Sequence, residues 1–440
     1  MPLDDIVFEE ADIRLSPAEA YKRLRRGSEQ SFLLESAVGS TRTVSYSFLG
    51  ASPREVHRDY GEDKDLAKLR GVMSRRGRDA SPFPFSGGLV GYFSYDIVNS
   101  LEEGIEASGG EFPLYELGLF DCGLIYDHSA FKVYHYHPAD EEGCLDSLVS
   151  AQGDEECEPF TISPEAVRTS QEEYRDGVDS LRSRIMEGEA FQTVLSQYEE
   201  RRYQGDPFHL YERMRQINPS PYMFYLDFGE RKVMGSSPET LVTVRGREMV
   251  TYPIAGTRPL GGDATQRRSN RLDLLADEKE KAEHIMLVDL ARNDIGKVCD
   301  YGSVEVTDFM RVEEFSHVQH MVSKVRGSLR SDKDCVDALA AVFPAGTVTG
   351  APKHRAMQLI EMNETRGRGP YAGAVGYISD DGDMDTAITI RSAFIVGDRV
   401  YFQAGAGIVM DSVPEREHAE CMHKMKALHD AAGLDQGDRT

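Results

Sequence analysis

Apolar and polar positions along the chain fall into many short strand-like runs and fewer stretches with helical period. Ser16 followed by Pro17 is an N-cap with proline at the first helical position and predicts a short helix there. Strand-like runs lie at 31–38, 43–49 and 87–95, and the pair 118–126 and 130–136 reads as a hairpin. A helix is predicted from 170 to 186. Beyond it, strands at 222–228, 232–234, 372–378, 386–396 and 400–403 alternate with helices at 277–289, 353–361 and 414–432. Gly397-Asp398 between the last two strands is a hairpin signal, so the expected class is α+β with antiparallel sheet. The acidic, Pro-ended stretch 152–159 is the expected linker. It divides the chain into 1–160 and 165–435, two regions expected to pack as one intertwined unit.

Composition narrows the class. Hydrophobic content of 40% and charged content of 28% are values of a folded globular chain. No window of roughly 18 apolar residues exists, so no membrane helix is expected. The acidic start Met1-Pro-Leu-Asp-Asp lacks a secretory signal and points to the cytoplasm. The six cysteines are scattered with no CxxC, which argues against a zinc site and against a disulfide framework and fits a reducing compartment. A net charge of −25 disfavours nucleic acid and anionic membranes. It leaves an anionic small molecule open, because one local cation can reverse the field at a site.

The first candidate chemistry is a pair of pairs: Glu280 with Glu283, and Glu417 with Glu420. Spacing i, i+3 puts each pair on one helix face. Four converging carboxylates would hold a hard divalent cation, although two solvated helix faces carry the same spacing. Several phosphate and hydrolase patterns fail. Gly346 to Lys353 lacks the Gly-Lys-Ser/Thr of a P-loop, Gly405-Ala-Gly407 has Met410 where a dinucleotide fingerprint needs a small residue, and no Gly-x-Ser-x-Gly or HExxH is present.

What remains is a series of dense polar, glycine-rich segments. They are Ser-Ser-Pro-Glu at 236–239, Tyr-Pro-Ile-Ala-Gly-Thr-Arg-Pro at 252–259, the charged stretch 277–294 and Ser-His-Val-Gln-His at 316–320. Phe-Pro-Ala-Gly-Thr-Val-Thr-Gly-Ala-Pro-Lys at 343–353, Ile-Arg-Ser at 390–392, and the run from Gln403 through Ala-Gly-Ala-Gly to Lys424 complete the series. In this order they resemble the chorismate-utilising enzymes, and within them the large subunits (component I) of anthranilate synthases. The resemblance is strong over about 165–430 and weaker at 32–36, 46–50 and 218–224. It implies a chorismate-binding fold, large antiparallel β-sheets packed as a sandwich flanked by helices. It also implies a catalytic region at 165–435 and an N-terminal region carrying a tryptophan-binding feedback segment.

The resemblance assigns roles residue by residue. Mg²⁺ would lie on Glu283 and Glu420, with Glu280 and Glu417 beside it through water. Gly256, Thr257, Gly405, Ala406 and Gly407 would bring backbone N–H groups to substrate oxygens. Arg391 would take the enolpyruvyl carboxylate, with Tyr371 and Lys424 as further donors. Glu239 corresponds to the general acid for the departing C4 hydroxyl, His320 to the proton-transfer group in pyruvate elimination, and Thr347 to a hydrogen-bonding group near the reacting face. Ser36 with Pro221, Tyr222 and Met223 resembles the L-tryptophan site.

Two positions separate the subclasses. Isochorismate and salicylate synthases carry a water-activating lysine where this chain has Gln192, and an amide is no base. Aminodeoxychorismate synthases carry a nucleophilic lysine where this chain has Ala255. Without either, ammonia is the expected nucleophile and anthranilate the expected product of a Mg²⁺-dependent lyase. The chain shows no glutaminase segment, so a separate glutamine amidotransferase subunit (component II) is the expected partner, in a heterotetramer of two large and two small subunits. The rival readings are aminodeoxychorismate synthase component I and a non-catalytic tryptophan-responsive regulator. Leu260, Ser45 and the short segment after Pro259 depart from the family pattern.

Overall fold

The computed structural model describes residues 6–36, 46–63, 66–73, 81–107, 109–140, 158–315 and 318–434. Most of the expected linker (152–157), the strand ends 37–38 and 43–45, Ser45, and Ser316-His317 lie outside the described residues.

The strand-like runs assemble into two sheets in which every pairing is antiparallel. The first has twelve strands among the described residues. Its spatial order is Ile6–Glu10, Lys132–Pro138, Gly123–Asp127, Tyr46–Ala51, Ser31–Glu35, Tyr222–Phe228, Arg231–Ser237, Ser392–Val396, Arg399–Ile408, Gln192–Gln204 and Gly350–Ala351, with Thr161–Arg168 also on Gln192–Gln204. The second has ten, in the order Ile254–Pro259, Val318–Ser328, Glu248–Thr251, Thr240–Arg245, Met384–Ile388, Ala374–Ser379, Gly88–Phe93, Tyr115–Phe120 and Glu55–Asp59, with Glu305–Glu314 on Val318–Ser328. Both sheets therefore mix strands from before residue 140 with strands from after residue 190.

The two sheets face each other across the larger core, as the expected sandwich requires. Phe32 of the first sheet meets Phe120 of the second edge-on, ring centroids 4.6 Å apart, and Phe48 meets Tyr377 at 5.5 Å. The outer face of the first sheet is covered by helices Pro17–Leu24, Gln171–Met186, Phe208–Ile217 and Pro414–Ala432, which bury Tyr21, Tyr174, Tyr211 and Met425. Ser16 closes a capping box with Glu19, as the serine-proline signal suggested. No helix among the described residues is long and apolar enough to cross a membrane.

Two predicted strands are each broken where the chain passes from one sheet to the other. The run 118–126 splits at Asp121-Cys122 into Tyr115–Phe120 of the second sheet and Gly123–Asp127 of the first, and the hairpin is Gly123–Asp127 with Lys132–Pro138. The run 386–396 splits at Thr389-Ile390-Arg391 into Met384–Ile388 of the second sheet and Ser392–Val396 of the first. Hydropathy cannot show such a crossing, because residues stay apolar on both sides of it.

Lys353, which sits in the segment that failed as a P-loop, is a core residue. Its ammonium is 2.6 Å from Asp294 at the end of helix Glu278–Gly296 and donates to the Val342 carbonyl at 2.8 Å. Burial pushes the lysine pKa down while Asp294 holds it up. The pair ties together three helices, Glu278–Gly296, Cys335–Val342 and Lys353–Asn363. Lys353→Ala would leave Asp294 with only the more exposed Lys297 ammonium, 3.0 Å away, at a cost of about 2 kcal/mol. We expect a clearly lower thermal midpoint for that variant, and recovery of most of the loss in Lys353→Met with Asp294→Leu.

Candidate active site

The second crossover is matched by a third. Arg231–Ser237 belongs to the first sheet and Thr240–Arg245 to the second, so the chain crosses at Pro238-Glu239. The two crossovers lie side by side: the Ser236 N–H donates to the Arg391 carbonyl at 3.1 Å, and the Ile388 N–H to the Glu239 carbonyl at 3.0 Å. Glu239 and Arg391 thus stand where the sandwich opens.

Glu239 is buried, and the Thr347 hydroxyl donates to its Oε1 at 2.8 Å. Burial pushes its pKa up to about 7, against the Thr347 hydrogen bond and the Lys424 charge, which hold it down. Arg391 has φ of 54°, a left-handed backbone that non-glycine residues rarely adopt. Among the described residues its guanidinium has no hydrogen-bond or ion-pair partner. Burial pulls its pKa down, with Tyr371 opposing.

The strands Ile254–Pro259 and Val318–Ser328 supply the next group. Their register sets Thr257 opposite His320, with a bulge at Gly256. Gly256 has φ of 68°, and a Cβ there would lie 2.8 Å from Leu274 and 3.1 Å from Glu280. The left-handed backbone is what asks for glycine here, the two contacts being side-chain tips of Leu274 and Glu280. His320 Nδ1 is 2.9 Å from the Gly256 carbonyl and 3.1 Å from the Thr257 hydroxyl. A carbonyl can only accept, so Nδ1 carries the hydrogen and Nε2 keeps a lone pair. Burial and the Arg391 charge pull the imidazole pKa down, the Gly256 bond opposing, so the ring is neutral at pH 7 and able to take a proton.

The two acidic pairs face each other across helices Glu278–Gly296 and Pro414–Ala432. Burial raises the Glu283 pKa, and the charges of Glu280, Asp277 and Glu420 add to it. Burial likewise raises Glu417, with Glu420 adding. Cations hold the other members: Glu280 is 3.1 Å from Arg258, and Glu420 is 2.8 Å from Lys424. No three of the four carboxylates bring oxygens within 4.8 Å of one another. Hard oxygen donors that repel each other suit a divalent ion that keeps several waters and takes substrate oxygens, so the set fits Mg²⁺.

Lys424 also donates to the Gly405 carbonyl at 2.8 Å, joining the acidic pairs to the strand Arg399–Ile408. There Gly405, Ala406 and Gly407 pair with Ser196, Leu195 and Val194. A Cβ on Gly405 would lie 3.0 Å from the Tyr371 hydroxyl, and one on Gly407 2.4 Å from the Gln192 amide. Ala255 lies in the strand Ile254–Pro259, opposite Met321. All the residues assigned to catalysis, substrate and metal therefore occupy one ring, running from Glu239 and Thr347 through Lys424, Gly405, Tyr371, Arg391, His320, Gly256 and Glu280 to Glu283 and Glu420.

Two members of this ring escaped the sequence. Arg258 binds Asp273, Asp277 and Glu280 at 2.6, 2.7 and 3.1 Å and so holds one carboxylate in place. Arg368 is buried, salt-bridged to Glu364 at 2.7 Å, and packs its guanidinium 5.7 Å from the Tyr371 ring centre. Arg258 stands inside the Thr-Arg-Pro segment, a signal that was available. The run Arg366-Gly-Arg-Gly-Pro370 offered a weaker one.

Ser36, Pro221, Tyr222 and Met223 line a separate cavity of about 420 Å³ between the sheets. Its walls include the Tyr46 and Phe48 rings, with Arg245 and Asp385 among its charged groups. The Tyr222 hydroxyl donates to Asp385 at 3.0 Å and sits 2.9 Å from the hydroxyl of Thr240, the neighbour of Glu239.

A family profile described as chorismate binding enzyme matches residues 29–430. Anthranilate synthase component 1 of Methanothermobacter marburgensis is 45% identical over 429 residues, covering 94% of this chain and 92% of that one. The crystal structure of anthranilate synthase component I from Streptococcus pneumoniae superposes with a TM-score of 0.80 at 35% identity, over 94% of this chain and 97% of that one. The menaquinone-specific isochorismate synthase of Escherichia coli shares the fold at a TM-score of 0.78 and 20% identity, over 98% of this chain and 95% of that one.

A carboxyl with a raised pKa keeps its proton to higher pH, so Glu239 is protonated below about pH 7 and loses the proton above it. The Thr347 bond favours the charged form. Thr347→Val should therefore move the Glu239 transition upward, and Glu239→Gln should abolish it, in an infrared titration of the buried carboxyl band.

Proposed function

The chain belongs to the chorismate-binding enzyme family, and from that premise we propose that it is the aminating subunit of an anthranilate synthase. It converts chorismate and ammonia to anthranilate, pyruvate and water, the first committed step toward tryptophan. Relatives named anthranilate synthase component 1 support this reading, and their numbering implies a second component.

The observation that carries the proposal is the Arg391 guanidinium, half-buried and without an anion, between Tyr371 and His320. Such a cation is completed by a ligand carboxylate, here the enolpyruvyl group. Mg²⁺ held by Glu283 and Glu420, with Glu280 and Glu417 around it through water, would supply the positive charge for the ring carboxylate. Tyr371 and Lys424, with the backbone at Gly256-Thr257 and Gly405-Ala406-Gly407, orient the ring.

As ammonia forms its bond to C2, the C4–O bond breaks and the hydroxyl leaves as water. Glu239 donates the proton, and its pKa near 7 keeps enough of the acid form available at neutral pH. The Thr347 hydroxyl then stabilises the carboxylate that results. In the second step a C2 proton is lost to His320 Nε2, the C3–O bond breaks, the enolpyruvyl group leaves as pyruvate and the ring becomes aromatic. Gln192 offers no base to activate water and Ala255 no amine to form a covalent intermediate, which favours free ammonia as nucleophile over both rival subclasses.

A glutamine amidotransferase subunit is the proposed source of that ammonia, in a heterotetramer of two large and two small subunits in the cytoplasm. The cavity of Ser36, Pro221, Tyr222 and Met223 is the proposed L-tryptophan feedback site. Aromatic walls beside both an acid and a base suit an aromatic zwitterion, and the Tyr222–Thr240 contact leads to Glu239.

Chorismate, Mg²⁺ and an ammonium salt should yield fluorescent anthranilate and one pyruvate from the purified chain. Glutamine should not replace ammonium, and L-tryptophan should slow the reaction. Isochorismate or aminodeoxychorismate as the accumulating product would overturn the assignment.

A further inference from the structure

At the end of the first sheet opposite Gly350–Ala351, the edge strand Ile6–Glu10 pairs with Lys132–Pro138 in a register that sets Glu9 opposite His135 and Val7 opposite His137. The two-residue period of the strands puts Glu9, His135 and His137 on one face. One ligand atom from each lies within 4.8 Å of the others, and among the described residues no other group of three or more histidine, cysteine or carboxylate donors does so. The two imidazoles stack with centroids 4.5 Å apart at 22°.

Hydrogen bonding orients these donors. His137 Nδ1 is 2.8 Å from the Pro138 carbonyl, so Nδ1 carries the hydrogen. In the neutral ring Nε2 then presents its lone pair, and it faces Glu9 Oε2 at 4.0 Å. The two atoms converge on one point. An imidazole donating its other N–H to a backbone carbonyl is also the contact that orients metal-bound histidines.

We propose that Glu9, His135 and His137 form a binding site for a borderline divalent transition-metal ion, Zn²⁺ foremost, with water in the fourth position. Two imidazoles select such an ion over Mg²⁺, which separates this site from the carboxylate pairs of the reaction centre. The histidines are buried while Glu9 is exposed, giving the ion a protected seat with an entrance. Its structural consequence is to staple the edge strand Ile6–Glu10 to the sheet, covering an edge that would otherwise invite pairing with another chain.

The test uses the full chain, stripped with a chelator and titrated with Zn²⁺ against a chromophoric competitor in excess Mg²⁺. One tightly bound Zn²⁺ per chain is expected. His137→Asn should abolish that binding, and Glu9→Gln, a change on an exposed edge that spares the core, should weaken it by about tenfold or more. Co²⁺ should give a tetrahedral visible spectrum that disappears in His137→Asn. Absence of a tight Zn²⁺, or equal stoichiometry and affinity in wild type, Glu9→Gln and His137→Asn, would overturn the site.

Discussion

A guanidinium half out of water, with no anion to meet it, is the constraint around which the site is organised. Arg391 occupies that position in a chain with 25 excess negative charges. Leaving it unpaired requires every nearby acid to be engaged or neutral. Glu239 is neutral over much of the physiological range because burial raises its pKa. Glu280 is held by Arg258, and Glu420 by Lys424. On the proposed reading the cation is thereby kept for a ligand, at the cost of its own desolvation.

The backbone enforces this arrangement. Arg391 and Glu239 each sit where the chain leaves one sheet for the other, and the two crossovers are hydrogen-bonded to each other. The left-handed conformation at Arg391 is part of that turn. A sandwich that closed fully here would bury both groups in apolar core. Because it splits, one side presents a cation and a protonated acid, and the other presents mutually repelling carboxylates on two helices. The opening is polar at both ends with opposite sign, which is what a dianion bridged to a divalent metal requires.

Much of the site was legible because its residues lie in contiguous polar, glycine-rich segments. Glu239, His320, Thr347, Arg391 and the Glu-x-x-Glu pairs all came from such runs, and the antiparallel sandwich followed from the resemblance they carry. Residues whose work is to hold others were not legible. Arg258 acts through Glu280, far along the chain, and Arg368 acts through Glu364 and Tyr371, near neighbours whose pairing no spacing rule singles out. Lys353 looked like a failed phosphate lysine and is a core ion pair. The sheet crossings at 121–122 and 389–391 were invisible because they are only two or three residues long and apolar runs flank them on both sides. The strand Glu305–Glu314 was missed because its residue types do not follow its alternating burial: Phe309 is on the exposed side and Asp308 on the inner one. The scattered cysteines suggested no zinc site, and His135-x-His137 became a candidate only when strand pairing set Glu9 beside it.

The central claim is that the Arg391 charge exists to receive a substrate carboxylate. Its direct test is steady-state kinetics of Arg391→Gln and Arg391→Lys with chorismate, Mg²⁺ and saturating ammonium. Losing one charge-assisted contact of about 3 kcal/mol should lower kcat/KM on the order of 100-fold in Arg391→Gln, with partial recovery in Arg391→Lys. Unchanged kcat/KM in a folded Arg391→Gln enzyme would contradict the account.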